Sequence, residues 1–92
     1  MKYYIETSRH FDKAFRKCIK RGLDPNEFRI VAGYLEETGT VPRKYKPHKL
    51  SGKWNNLWEC HIQPDWLLIW EKNEQTVTII LIDTGTHSDL FK

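Results

Sequence analysis

Apolar positions recur at helical spacing through the first third of the chain. Phe11, Ala14, Phe15, Cys18 and Ile19 fall at i, i+3, i+4, i+7 and i+8, while Lys13, Arg16, Lys17 and Lys20 take the other side. That spacing predicts a helix burying one stripe. Ser8 is placed to cap it and Gly22 to stop it. Asp24, Pro25 and Glu27 then read as N-cap, N1 and N3 of a second helix, which Phe28, Val31, Ala32 and Leu35 carry forward to Gly39. The two helices are expected to form a hairpin whose stripes cover a sheet.

The period changes to two after residue 53. Trp54 to Ile62, Trp66 to Lys72 and Thr76 to Asp83 are strand candidates, separated by Gln63-Pro64-Asp65 and Asn73-Glu74-Gln75. An antiparallel meander follows from such short connections. In the first strand Trp58, Cys60 and Ile62 share one face and Leu57, Glu59 and His61 the other, so one side of the sheet is expected to be covered and the other accessible. Lys2 to Glu6, aromatic and β-branched, reads as an opening strand. Residues 40–53, with two prolines and a glycine, read as a loop, and the tail from Thr84 as a short segment folded back beside the sheet. The expectation is one domain over residues 1–92, of α+β class, with an N-terminal strand and a helical hairpin packed on one face of a largely antiparallel sheet.

Composition narrows the class. Hydrophobic residues make up 39% of the 92 residues and charged residues 29%, which fits an ordinary globular chain rather than a disordered or fibrous one. The apolar runs are too short for a membrane span and the N-terminus lacks an apolar signal core, so a cytoplasmic protein without membrane contact is expected. Cys18 and Cys60 have no CxxC partner and read as packed thiols.

The net charge of +3 averages two unlike halves. Residues 1–53 hold 13 Lys and Arg against 6 Asp and Glu, whereas residues 54–92 hold 2 against 6. Clustered cations gain counterion-release free energy from phosphates, so a polyanionic partner is implied on one surface. Arg43, Lys44, Lys46, Lys49 and Lys53 form the densest stretch, with no acid among them and Tyr45, His48 and Trp54 as stacking candidates.

Four residues with proton chemistry bracket the strands: His48, His61, Asp65 and His87. A meander can bring them to one groove. Imidazole has an ordinary pKa of about 6.5, so one ring can accept a proton and another donate one near neutrality. RNA cleavage by 2′-hydroxyl attack needs that pair and no metal or other cofactor. Zinc held by His48, His61 and His87 is the alternative, although neither HxxxH nor CxxC spacing prearranges it.

The segments HKLSGKW (48–54), ECHIQPDWLLI (59–69) and TGTHSDLF (84–91) resemble the YafQ-type toxins of the RelE superfamily, and the likeness spans the whole chain. The resemblance implies a RelE-like fold and a ribosome-dependent mRNA endonuclease of a type II toxin–antitoxin system, silenced by a cognate antitoxin of DinJ or RelB type. It implies catalytic roles for His48, His61, Asp65 and His87, with His87 as general acid and the base unassigned. It also implies substrate contacts by Phe91 and Trp66, and partners in the ribosome and mRNA, with no homo-oligomer of the free toxin. Trp58 and Asp83 stand near places where relatives often carry arginine, and Lys49 replaces a common proline. Either Lys44, Lys46, Lys49 and Lys53 supply the missing charge or turnover is weaker. A member of the fold that binds RNA or antitoxin without cleaving is the rival reading.

Overall fold

A computed structural model describes residues 2–54 and 56–91, the side chain of Lys53 excepted. The opening strand β1 (Tyr4–Thr7) leads into α1 (Arg9–Lys20) and α2 (Pro25–Thr38). Strands β2 (His48–Lys49), β3 (Leu57–Gln63), β4 (Trp66–Asn73) and β5 (Thr78–Gly85) follow, with 3₁₀ turns at Arg43–Tyr45 and Gly52–Trp54, and a one-turn helix α3 (His87–Leu90) closes the chain. The sheet order is β1-β5-β4-β3-β2. Among the described residues only the β1–β5 pair is parallel; the helices carry the chain from β1 to the far edge at β2, and the meander brings β5 back beside β1.

Local chemistry sets the helix ends as the sequence predicts. The Ser8 hydroxyl accepts from the Phe11 N–H at 3.0 Å and lies 3.2 Å from the Leu81 carbonyl, tying the start of α1 to β5. At the other end the Gly22 N–H donates to the Ile19 carbonyl and the Leu23 N–H to that of Cys18, the paired bonds of a left-handed stop. Asp24 caps α2 through the Asn26 N–H. Gly39 ends it at φ +78°, where a Cβ would sit 2.5 Å from the Tyr3 ring. The helices meet through aromatic rings, with Phe15 and Phe28 4.7 Å apart.

The main core lies between helices and sheet: Phe11, Cys18, Val31 and Leu35 pack on Cys60, Ile62, Trp66, Leu68, Trp70, Ile79 and Leu81. Burial pushes the Cys60 thiol up to about 12, and both cysteines are free and buried, so neither is a ready nucleophile.

Four expectations need correction. His48–Lys49 form an edge strand against Glu59 and Trp58 rather than loop, since edge pairing needs only backbone groups and leaves no hydrophobic alternation to read. The next strand starts at Leu57 instead of Trp54, because Asn56 takes φ +73° and breaks the extended run. The face away from the helices is not bare: Leu67 and Ile69 are as buried as Leu68 between them, so β4 is covered on both sides. The tail is helical because Thr86 and Asp89 form a reciprocal capping box.

Candidate active site

The polar face is built on β3. Directly opposed residues share a face of a sheet, and Cys60 pairs with Leu68 on the helix side, so Glu59 and His61 project to the other side. His48 pairs with Glu59 in register and joins the same face, its Nε2 3.1 Å from Glu59 Oε1. Its Nδ1 lies 3.1 Å from the Lys46 carbonyl. A carbonyl only accepts, so that nitrogen carries a proton.

His61 sits beside an irregularity of the β3–β4 ladder, where the pairing passes from His61–Leu67 to Gln63–Trp66. The Pro64-Asp65 turn that closes this hairpin does two things. The Pro64 carbonyl accepts from His61 Nδ1 at 3.3 Å, which leaves Nε2 as the nitrogen with a lone pair. Asp65 Oδ1 accepts from the His87 backbone N–H at 2.9 Å and from His87 Nδ1 at 2.6 Å. Those bonds, the backbone one first, hold the Asp65 carboxyl below the usual carboxylate range, so it stays ionised and the His87 ring also turns Nε2 outward from its anchor. The two rings lie 5.6 Å apart between centroids. The result is two imidazoles side by side, one tied back to a neutral carbonyl and the other to a carboxylate.

The remaining predicted residues divide. Lys44 and Lys46 line a cleft of about 390 Å³ together with His61, Gln63 and Pro64, and Glu27 of α2 lines it as well, so two cations of the basic loop share a cleft with His61. Lys46 holds φ +54° there, a left-handed conformation that costs a side-chain-bearing residue roughly 1 kcal/mol or more. Phe91 is 41% exposed, its ring 5.9 Å from that of Trp54, and can offer a face to a base. Trp66 cannot: it is fully buried in the core with its indole N–H donating to Thr84 Oγ1 at 2.9 Å, so its expected substrate contact is corrected to a packing role. Lys49 pairs in register with Trp58 and lies over that ring at 5.8 Å, on the face opposite His48. The expected role of the Lys53 side chain lies outside the described residues. Asp83 meets His10 at 3.1 Å.

Sequence reasoning missed Glu59 as a site residue. It is 4% exposed, and Oε2 has no hydrogen-bond partner among the described residues, an arrangement that costs stability and tends to be kept for function. The available signal was its i−2 spacing from His61, which puts both on one strand face. Among the described residues no three His, Cys, Asp or Glu side chains are grouped to hold a metal ion.

Residues 3–92 match the family described as bacterial toxin of type II toxin-antitoxin system, YafQ. The mRNA interferase toxin YafQ of Escherichia coli K12 is 33% identical over 88 residues, covering 95% of this chain and 94% of that protein. The crystal structure of the E. coli DinJ–YafQ toxin–antitoxin complex superposes with a TM-score of 0.88 at 30% identity, covering all of both chains. A metal-bound toxin from Helicobacter pylori superposes with a TM-score of 0.86 at 39% identity, over 97% of this chain and 99% of that one.

Proposed function

This chain belongs to the YafQ family of type II toxin–antitoxin toxins, and from that premise we propose that His61 and His87 divide the base and acid work of an mRNA interferase. The observation that carries the assignment is the difference between their anchors. His61 Nδ1 faces a neutral carbonyl and His87 Nδ1 an ionised carboxylate, with the rings 5.6 Å apart. The carbonyl fixes the His61 ring with Nε2 free to accept, whereas the carboxylate fixes the His87 ring and balances the charge of a ring that donates from Nε2.

The step balances without a co-reactant. His61 Nε2 takes the proton from a ribose 2′-hydroxyl, the 2′ oxygen bonds to the adjacent phosphorus, the bond from phosphorus to the 5′ oxygen breaks, and His87 Nε2 supplies that oxygen with a proton. A 2′,3′-cyclic phosphate and a 5′-hydroxyl result. The charge building on the phosphoryl oxygens is met by the cations of the loop, Lys44 and Lys46, in the cleft that reaches His61. His48, whose Nδ1 meets the Lys46 carbonyl and whose Nε2 meets Glu59, has no ring nitrogen left for the phosphate and is placed to hold Lys46 beside the sheet. Phe91 supplies a stacking face.

The partners in this reading are a cognate antitoxin, by likeness to the toxin seated on DinJ, and translating ribosomes in the cytoplasm, met by Lys44 and Lys46 of the basic loop. Mapping message ends in a translating extract tests it. Wild-type protein yields cyclic-phosphate ends within open reading frames, undiminished by chelator, and His87→Ala yields none. Cleavage by the His87→Ala protein at the wild-type rate, or loss of cleavage with chelator, would remove the acid–base reading.

A further inference from the structure

The one-turn helix that bears His87 has little of its own to hold it. It is four residues long with none buried, and a single turn is not stable without outside contacts. On one side Asp65 grips the backbone and ring of His87. On the other, Asp89 is gripped by Arg21, whose guanidinium meets both carboxylate oxygens, at 2.6 Å and 3.1 Å. Two parallel bonds of this kind fix direction as well as distance. The same carboxylate accepts from the Thr86 N–H at 2.9 Å, so one side chain binds the start of the turn and the end of α1 together. Gly85 makes this closure possible: a Cβ there would stand 2.8 Å from Asp89 Oδ2.

Arg21 is well rooted. It is the C-terminal cap of α1, its own N–H bonded to carbonyls of the last turn, and α1 is anchored in the core by Phe11 and Cys18. We propose that Arg21 and Asp89 form a latch that connects this core helix to the catalytic turn and positions the His87 ring for proton donation. Neither touches the reacting atoms in this scheme. Both are positioning residues, and the inference rests on the acid role given to His87 above. Sequence distance hid the pair, since 68 residues separate them.

The test compares two messages in programmed ribosome complexes: one natural, and one with a single 5′-bridging phosphorothiolate, whose thiolate departs without a proton. On the natural linkage Arg21→Ala should lower kcat by about tenfold, as expected for misplacing a catalytic group by part of an ångström, with KM within about twofold. Arg21→Lys, which keeps the charge but not the fork, should recover part of the loss, and Asp89→Asn should resemble Arg21→Ala. On the phosphorothiolate the Arg21→Ala defect should nearly vanish, which general loosening of the fold would not produce. Arg16→Ala, an exposed cation on the same helix, should be normal on both. An equal Arg21→Ala defect on both linkages, or none on either while His87→Ala is inactive, overturns the latch alone. Normal cleavage by His87→Ala overturns the acid reading and the latch with it.

Discussion

His61 and His87 present the same ring a few ångströms apart, yet different parts of the molecule hold them. His61 belongs to β3, inside a ladder whose opposite face is the dry core of Cys60, Ile62 and Leu68. His87 stands on a turn with no buried residue, held by carboxylates: Asp65 directly, and Asp89 through Arg21. In the proposed scheme the base rides on the sheet floor and the acid on a flap held by side chains. A ring placed by backbone pairing tolerates changes in its surroundings, whereas a ring placed by charged side chains depends on each of them. The anchors also differ in charge, and in this account that difference assigns the roles.

Removing either ring gives the largest effect. His61→Ala and His87→Ala should each lower cleavage of ribosome-bound message by about 10²- to 10⁴-fold, the range for losing a general acid or base, while antitoxin copurification stays intact. Asp65→Asn comes next and bears on the flap alone. It keeps a hydrogen-bond acceptor but removes the charge, so kcat should fall about 10- to 100-fold, as read from single-turnover cleavage of ribosome-bound message.

Changing Lys44 and Lys46 to Gln touches the floor's cleft rather than either proton. Binding should weaken and its salt dependence flatten, by about 0.7 in log–log slope for each single-strand phosphate left without its cation, and kcat at saturation should fall severalfold, because the same cations meet the charge that builds on the phosphoryl oxygens. The smallest effect is on stability. Arg21, and after it the Thr86 N–H, hold the Asp89 carboxyl well below its usual range. A depressed carboxyl stabilises the fold above its unfolded value, about 3.9, and loses that contribution as pH falls toward the native value. Thermal melts of Asp89→Asn should therefore lie slightly below wild type at neutral pH, and the gap should narrow below about pH 4.

The floor is legible in the sequence and much of the flap is hidden, for a physical reason. Periodicity reports burial, so the stripes of α1 and α2 and the alternation around Cys60 are readable, as are the caps at Ser8 and Asp24. Side-chain bonds that span the chain leave no period: Asp65 with His87, and Arg21 with Asp89, lie 22 and 68 residues apart. Trp66 shows the opposite error. Its place in a motif beside Asp65 suggests substrate contact, but strand alternation turns adjacent side chains to opposite faces, and the indole points into the core. Glu59 falls on the right face by alternation, yet an acid on a strand facing solvent is ordinary until its burial is known. The one-turn helix at the tail follows from Thr86 and Asp89, a capping pair present in the sequence but carrying little weight in so short a segment.

The division of labour between the two rings is tested most directly by the phosphorothiolate message applied to the two alanine variants side by side. Because sulfur leaves unprotonated, the His87→Ala protein should regain cleavage to within about tenfold of wild type, while His61→Ala, still lacking a group to take the 2′ proton, should stay inactive. Recovery of His61→Ala with His87→Ala unrescued would reverse the two roles, and failure of both to recover would contradict an acid at residue 87.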